Sequence, residues 1–147
     1  MQDRDVSART DRPTASLLHF LATHEISRQF LRFAAVGGVA TLIHYGILVA
    51  LVELLKAPLL ASTSAGFAAG AVFSYIVNRS RNFETRPPFV RGLVVFFVFG
   101  TIGLALNGLI LSGLVSLGLH YILAQCFATG IVLIYNFATA RWIVFRA

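Results

Sequence analysis

Two short stretches carry the side chains best suited to holding an anion. Residues 74–83 read Ser-Tyr-Ile-Val-Asn-Arg-Ser-Arg-Asn-Phe and end one long apolar run. Residues 136–145 read Asn-Phe-Ala-Thr-Ala-Arg-Trp-Ile-Val-Phe and end another. Tyr75 matches Phe137, Arg79 matches Arg141 and Phe83 matches Phe145, all 62 residues apart. A guanidinium can grip a phosphate with a planar fork of donors. The plainer role for Arg79 and Arg141 is anchoring to bulk anionic lipid, worth about 1 kcal/mol per residue. Deeper in the apolar runs lie His44 and Asn107, with Thr129, Asn136 and Ala140 on one face of the last run. Polar side chains at such depth are destabilising unless partnered, which makes them site candidates. They either line a polar seam or bond between helices, a contact worth about 0.6 kcal/mol on average.

Composition decides what must hold these residues. The chain is 57% hydrophobic and 12% charged, with a mean hydropathy of +0.79. Soluble domains carry about twice that charge fraction, and 147 residues cannot hide so much apolar surface in one core. The expected fold class is an all-α integral membrane protein. Four apolar runs predict spans at about residues 33–55, 59–77, 93–117 and 121–140, each near the roughly 20 residues that cross a bilayer core. Lys56, Ala57 and Pro58 break the first run from the second, Arg86, Pro87 and Pro88 the second from the third, and Gly118–His120 the last two. Residues 1–27 form a polar tail and residues 28–147 the membrane domain; the tail is expected to be disordered to about Ser16, and residues 17–32 to be helical and to lie at the membrane interface.

Charge placement orients the spans. Arg28 and Arg32 precede the first run, Arg79, Arg81, Arg86 and Arg91 lie between the second and third, and Arg141 and Arg146 follow the fourth. The other two connections hold only Lys56. The positive-inside bias predicts both termini and the central loop in the cytoplasm. It also accounts for the net charge of +6 without nucleic acid.

The two halves repeat beyond their ends. Arg28, Gly37, Ala40 and His44 match Arg91, Gly100, Gly103 and Asn107 at an offset of 63. Each unit holds two spans, so the fold is expected to be a duplicated two-helix hairpin whose copies share one orientation, as in parallel transporter repeats. The stretch from Phe33 to His44, Phe-Ala-Ala-Val-Gly-Gly-Val-Ala-Thr-Leu-Ile-His, resembles the first-helix motif of the GtrA-like family. Asn78, Arg79 and Phe83 resemble that family's Asn-Arg-x-Trp-Thr-Phe exit, although Arg81 stands in place of its Trp and Ala140 replaces Asn before Arg141.

The resemblance implies a four-span protein of the cytoplasmic membrane serving cell-surface polysaccharide synthesis. It further implies a flippase for polyprenyl-phosphate-linked sugar, with His44, Asn78, Arg79, Asn107, Asn136 and Arg141 as substrate-binding residues. On that reading Asn78 reads a sugar hydroxyl or caps its helix. The alternative is an anchor for a membrane glycosyltransferase that moves nothing. A small multidrug exporter fits less well, because no acidic residue sits deep in a span.

Ser62, Gly66, Gly70 and Ser74 recur every fourth residue, as do Gly108 and Ser112. Such spacing lets helices approach closely. Four helices are few to enclose a sugar headgroup, so a homo-oligomer, a dimer at least, is expected. Cys126 stands alone in an apolar run and implies neither a disulfide nor a metal site. No nucleophile–base spacing, metal cluster or cofactor loop appears, so the expectation is a non-enzyme with no cofactor.

Overall fold

A computed structural model describes the backbone of residues 12–146 and the side chains of residues 24–146. Four helices carry the described chain: α1 (Arg12–Leu55), α2 (Leu59–Val77), α3 (Phe89–Ser116) and α4 (Tyr121–Thr139). Each contains a stretch long and apolar enough to cross a membrane, and no strand occurs among the described residues. The start of the expected tail, residues 1–11, lies outside the described residues. Residues 12–27 belong to α1, which runs unbroken into the first span. Pro13 sits in the first helical turn, where its missing N–H removes no bond. α3 begins at Phe89 rather than residue 93, because Pro88 ends the extended connection and Arg91 is carried on the helix itself.

α2 and α4 both end in a single π-helical turn, at Asn78–Asn82 and Ala140–Val144. The closing bonds run five residues back, from Phe83 N–H to the Asn78 carbonyl at 3.0 Å and from Phe145 N–H to the Ala140 carbonyl at 2.8 Å. These two turns occupy equivalent places at the offset of 62. The hairpin turns at the opposite end are equivalent too. Lys56 and Gly118, again 62 apart, are the described residues with positive φ, at 51° and 91°. Glycine takes that conformation without strain and lysine does not. Ala57 N–H reaches Leu51 O, six residues back, while its counterpart Leu119 reaches Leu114 O, five back. The extra residue that separates the two offsets, 63 in the first helices and 62 afterwards, is therefore taken up in the α1–α2 turn.

α1 packs chiefly on α2 and α3 on α4. The hairpins join through aromatic rings gathered at the end that carries the π-turns. Phe83 and Phe145 stack at 4.6 Å between centroids. Tyr75 lies against Phe145 at 5.7 Å, and its counterpart Phe137 against Phe83 at 6.3 Å. Such reciprocal pairs are what a twofold axis along the helices produces. Tyr75 is fully buried and donates its hydroxyl to Phe89 O at 3.1 Å.

The buried Gly92 makes room for this phenol. A Cβ there would collide with the Tyr75 hydroxyl and lie 2.9 Å from Pro87 Cγ. Gly92→Ala is expected to push Tyr75 off its bond and lower stability by about 1–3 kcal/mol. Thermal unfolding in detergent measures this, and Tyr75→Phe should lose less because the ring stays packed.

Candidate functional site

Small residues set the distance between helices within each hairpin. Ser62, Gly66, Gly70 and Ser74 are buried on α2 facing α1, and an added Cβ at Gly70 would lie 2.7 Å from Ala40 O. α4 does the equivalent with Ala124, Ala128 and Val132, residues 62 positions on. The spacing of Gly108 and Ser112 placed this role on α3 instead. Both are exposed there, and nothing lies within 4 Å of a Cβ built on Gly108. Within one chain they pack no helix. A four-residue spacing marks a face of small residues without saying what covers it.

Between the hairpins lies a cavity of about 510 Å³, lined by residues of all four helices. His44, Asn107, Thr129 and Asn136 reach it together, so three of the six residues expected to bind substrate share one space. Among the described residues no Asp, Glu, Lys or Arg lines it. Phe33, Phe96 and Val144 border it and belong to the aromatic junction, which therefore forms one wall.

The polar lining is partly bonded. His44 Nε2 meets Thr63 Oγ1 at 3.1 Å, and Asn107 Oδ1 accepts from Gln125 Nε2 at 3.3 Å. Thr63 and Gln125 are themselves 62 apart, so both halves tie a polar residue of the first helix to one of the second. Neither partner was picked out in the sequence, although the offset would have found them. Gln125 also donates to Thr129 Oγ1 at 2.8 Å. Asn136 differs. Its Oδ1 is buried without a hydrogen-bond partner, and Gly103 gives it space, since a Cβ there would lie 2.5 Å from that oxygen. An unpaired buried amide oxygen costs about 1–3 kcal/mol, so a shift of Asn136 that turned Oδ1 from Gly103 to a donor in the cavity would be favoured.

Asn78, Arg79 and Arg141 do not line the cavity. Asn78 is fully buried and donates to Ser74 O at 2.9 Å, while its Oδ1 accepts from Asn82 Nδ2 at 2.9 Å. That same Asn82 nitrogen donates to Gln29 O at 3.1 Å, tying the first π-turn to α1. Gln29 Oε1 also accepts from Arg141 Nη1, so one glutamine fastens both exits. Arg79 donates from Nη2 to Pro87 O at 3.1 Å and stands over the Phe89 ring at 5.7 Å. These side chains hold the exits in shape.

A repeated hairpin of membrane-spanning helices around a neutral, polar-lined cavity defines a small multi-pass membrane protein. The chain matches the family model described as GtrA/DPMS, transmembrane domain, over residues 32–145, and it belongs to that family. It is a polysaccharide-related membrane protein, of a family that is generally non-enzymatic.

Proposed function

We propose that the protein moves a polyprenyl-phosphate-linked sugar across the cytoplasmic membrane, with both termini and the π-turns on the cytoplasmic side. The observation that carries this reading is the uncharged cavity with an orphaned Asn136 Oδ1. A sugar offers hydroxyl donors and no charge, which suits such a lining. The anionic phosphate stays out, near the basic end, and the prenyl chain stays in lipid. His44 and Asn107 supply further polar contacts once their partners Thr63 and Gln125 yield. Arg79 and Arg141 hold the exits past which the headgroup travels. A partner copy completing the enclosure and a glycosyltransferase supplying the substrate belong to the same reading.

Reconstitution tests it. Purified protein in proteoliposomes, a polyprenyl-phosphoryl sugar and an impermeant reagent report which leaflet holds the lipid. Asn136→Leu, which keeps the volume and removes the acceptor, should slow movement roughly tenfold. Asn107→Ala should slow it less, because Gln125 remains. One observation favours the anchor reading: His44 and Asn107 are already bonded within their hairpins. No movement above protein-free vesicles, with several sugars tried, would support it and sink the translocase.

A further inference from the structure

A second, basic cavity of about 300 Å³ lies between α1 and the first π-turn, apart from the neutral one. Arg28 and Arg32 reach it from one face of α1, and Arg81 and Arg86 from the π-turn and the loop after it. All four are exposed. Among the described residues none of them has an acidic partner within 4 Å. Glu25 and Glu84 line the same groove, leaving four guanidiniums against two carboxylates, an excess of two positive charges. Asn82 forms part of its wall; it is 7% exposed, and its Oδ1 is buried without a partner.

The repeat does not require this groove. At the places equivalent to Gln29, Arg32, Arg81 and Asn82 the second hairpin has Gly92, Val95, Ile143 and Val144. Topology needs positive charge at this end, and Arg91, Arg141 and Arg146 supply it to the second hairpin with no such convergence. Arg79 and Arg141, by contrast, each have a guanidinium nitrogen bonded to the protein's own oxygens. Arg79 Nε is buried without a partner, while the exposed guanidiniums of Arg28, Arg32, Arg81 and Arg86 converge elsewhere.

We propose that the groove of Arg28, Arg32, Arg81 and Arg86 is a binding site for a phosphate ester, holding the headgroup phosphate of the lipid-linked sugar before the sugar enters the neutral cavity. The second half of this statement rests on the translocase reading; phosphate binding itself does not. Several guanidiniums match phosphate oxygens with charge-assisted bonds. The unpaired Asn82 oxygen suits a ligand that also brings a hydroxyl once a shift of the groove wall uncovers it. Placing the phosphate on one side only gives a nearly symmetric protein a single entry.

The test is binding, measured without transport. The full chain is placed in phosphatidylcholine nanodiscs, and a short-chain prenyl-phosphoryl hexose is titrated in, with retention read by native mass spectrometry and 31P NMR. Soluble glucose 1-phosphate forms a parallel arm. The variants Arg28→Gln/Arg81→Gln and Arg32→Gln/Arg86→Gln are expected to weaken retention roughly tenfold or more, and the Lys versions less, since lysine keeps charge but loses the fork. Lys56→Gln, which removes one positive charge from the α1–α2 turn at the opposite end, should leave retention unchanged. Glucose 1-phosphate binding that the same variants abolish, with no lipid retained, keeps the phosphate site and names a soluble source. Groove variants that retain the lipid like wild type overturn the proposal, as does equal retention of phosphatidylglycerol, which reduces the groove to general lipid contact. Retention without any flipping leaves the groove standing and removes the translocase alone.

Discussion

Gly66→Leu is expected to part the first hairpin, with a loss of about 3 kcal/mol or more. A Cβ at this position alone would lie 2.6 Å from His44 Cδ2 and 2.6 Å from His44 O. The ring cannot swing aside freely, because Nε2 is bonded to Thr63. The carbonyl cannot move unless α1 moves. Overpacking in a well-packed core typically costs about 1–3 kcal/mol, and here one of the colliding atoms is backbone. In lipid, close van der Waals contact is the main force between helices, so forcing them apart removes the attraction over several turns. Gly108→Leu is the control: it adds the same side chain where nothing lies within 4 Å. Thermal unfolding in one detergent should separate the two variants widely, and equal midpoints would show that the α1–α2 contact is not what the structure depicts. If Gly108→Leu keeps its midpoint but shifts a dimer to monomer in native-like lipid, its exposed face is where copies meet.

The same contacts show what a sequence can and cannot reveal about this molecule. The four spans were legible because hydropathy over about 20 residues is a direct demand of the bilayer. The true extents of α1 and α3 were not. Their ends pass out of the apolar layer: residues 17–32 read as helical but separate from the first span, and Arg91 looks like a loop residue to a hydropathy count, although each belongs to one unbroken helix with the span. The π-turns left no trace at all. A single bond lengthened from four to five residues changes neither composition nor period by a readable amount, and π-bulges are known by geometry. The repeat was legible at the exits and along the first helix. Carried across the whole chain at 62, it would have paired Thr63 with Gln125 and Gly66 with Ala128, and so found both the polar ties and the packing face of α4. Depth singles out His44 and Asn107, and a shared face of the last run singles out Asn136, yet neither signal shows that two are bonded and the third is not. That difference depends on which neighbour each side chain meets, and only Gly103 and the turn of α4 decide it for Asn136.

Removing the ring pair on the repeat axis should both weaken the fold and loosen the junction residues Phe33, Phe96 and Val144 that border the cavity. Phe83 and Phe145 are 7% and 3% exposed and stack at an interplanar angle of 11°. Each is delivered by its π-turn, and each also touches the other half's counterpart ring, Phe137 or Tyr75. Phe83→Ala and Phe145→Ala should each lower stability by about 3–5 kcal/mol, the usual range for a buried phenylalanine. The two losses should not add. Rings in this arrangement contribute about 0.5–1.5 kcal/mol beyond the area they bury, and that share vanishes once with either ring, so the double variant should fall short of the sum by about that amount. Leucine in place of both keeps much of the volume and should restore most of the stability. The second consequence concerns access. Ser74 lines the cavity and is buried close to the junction. In a Cys126→Ser background, a cysteine at Ser74 should react slowly with a charged thiol reagent applied from the π-turn side, because Ser74 is buried and the junction that these rings pin stands on that side. With both phenylalanines changed to alanine it should react at least tenfold faster in any variant that still folds, following the junction's loosening. Equal rates in the two backgrounds would mean that the rings join the hairpins without sealing the space between them.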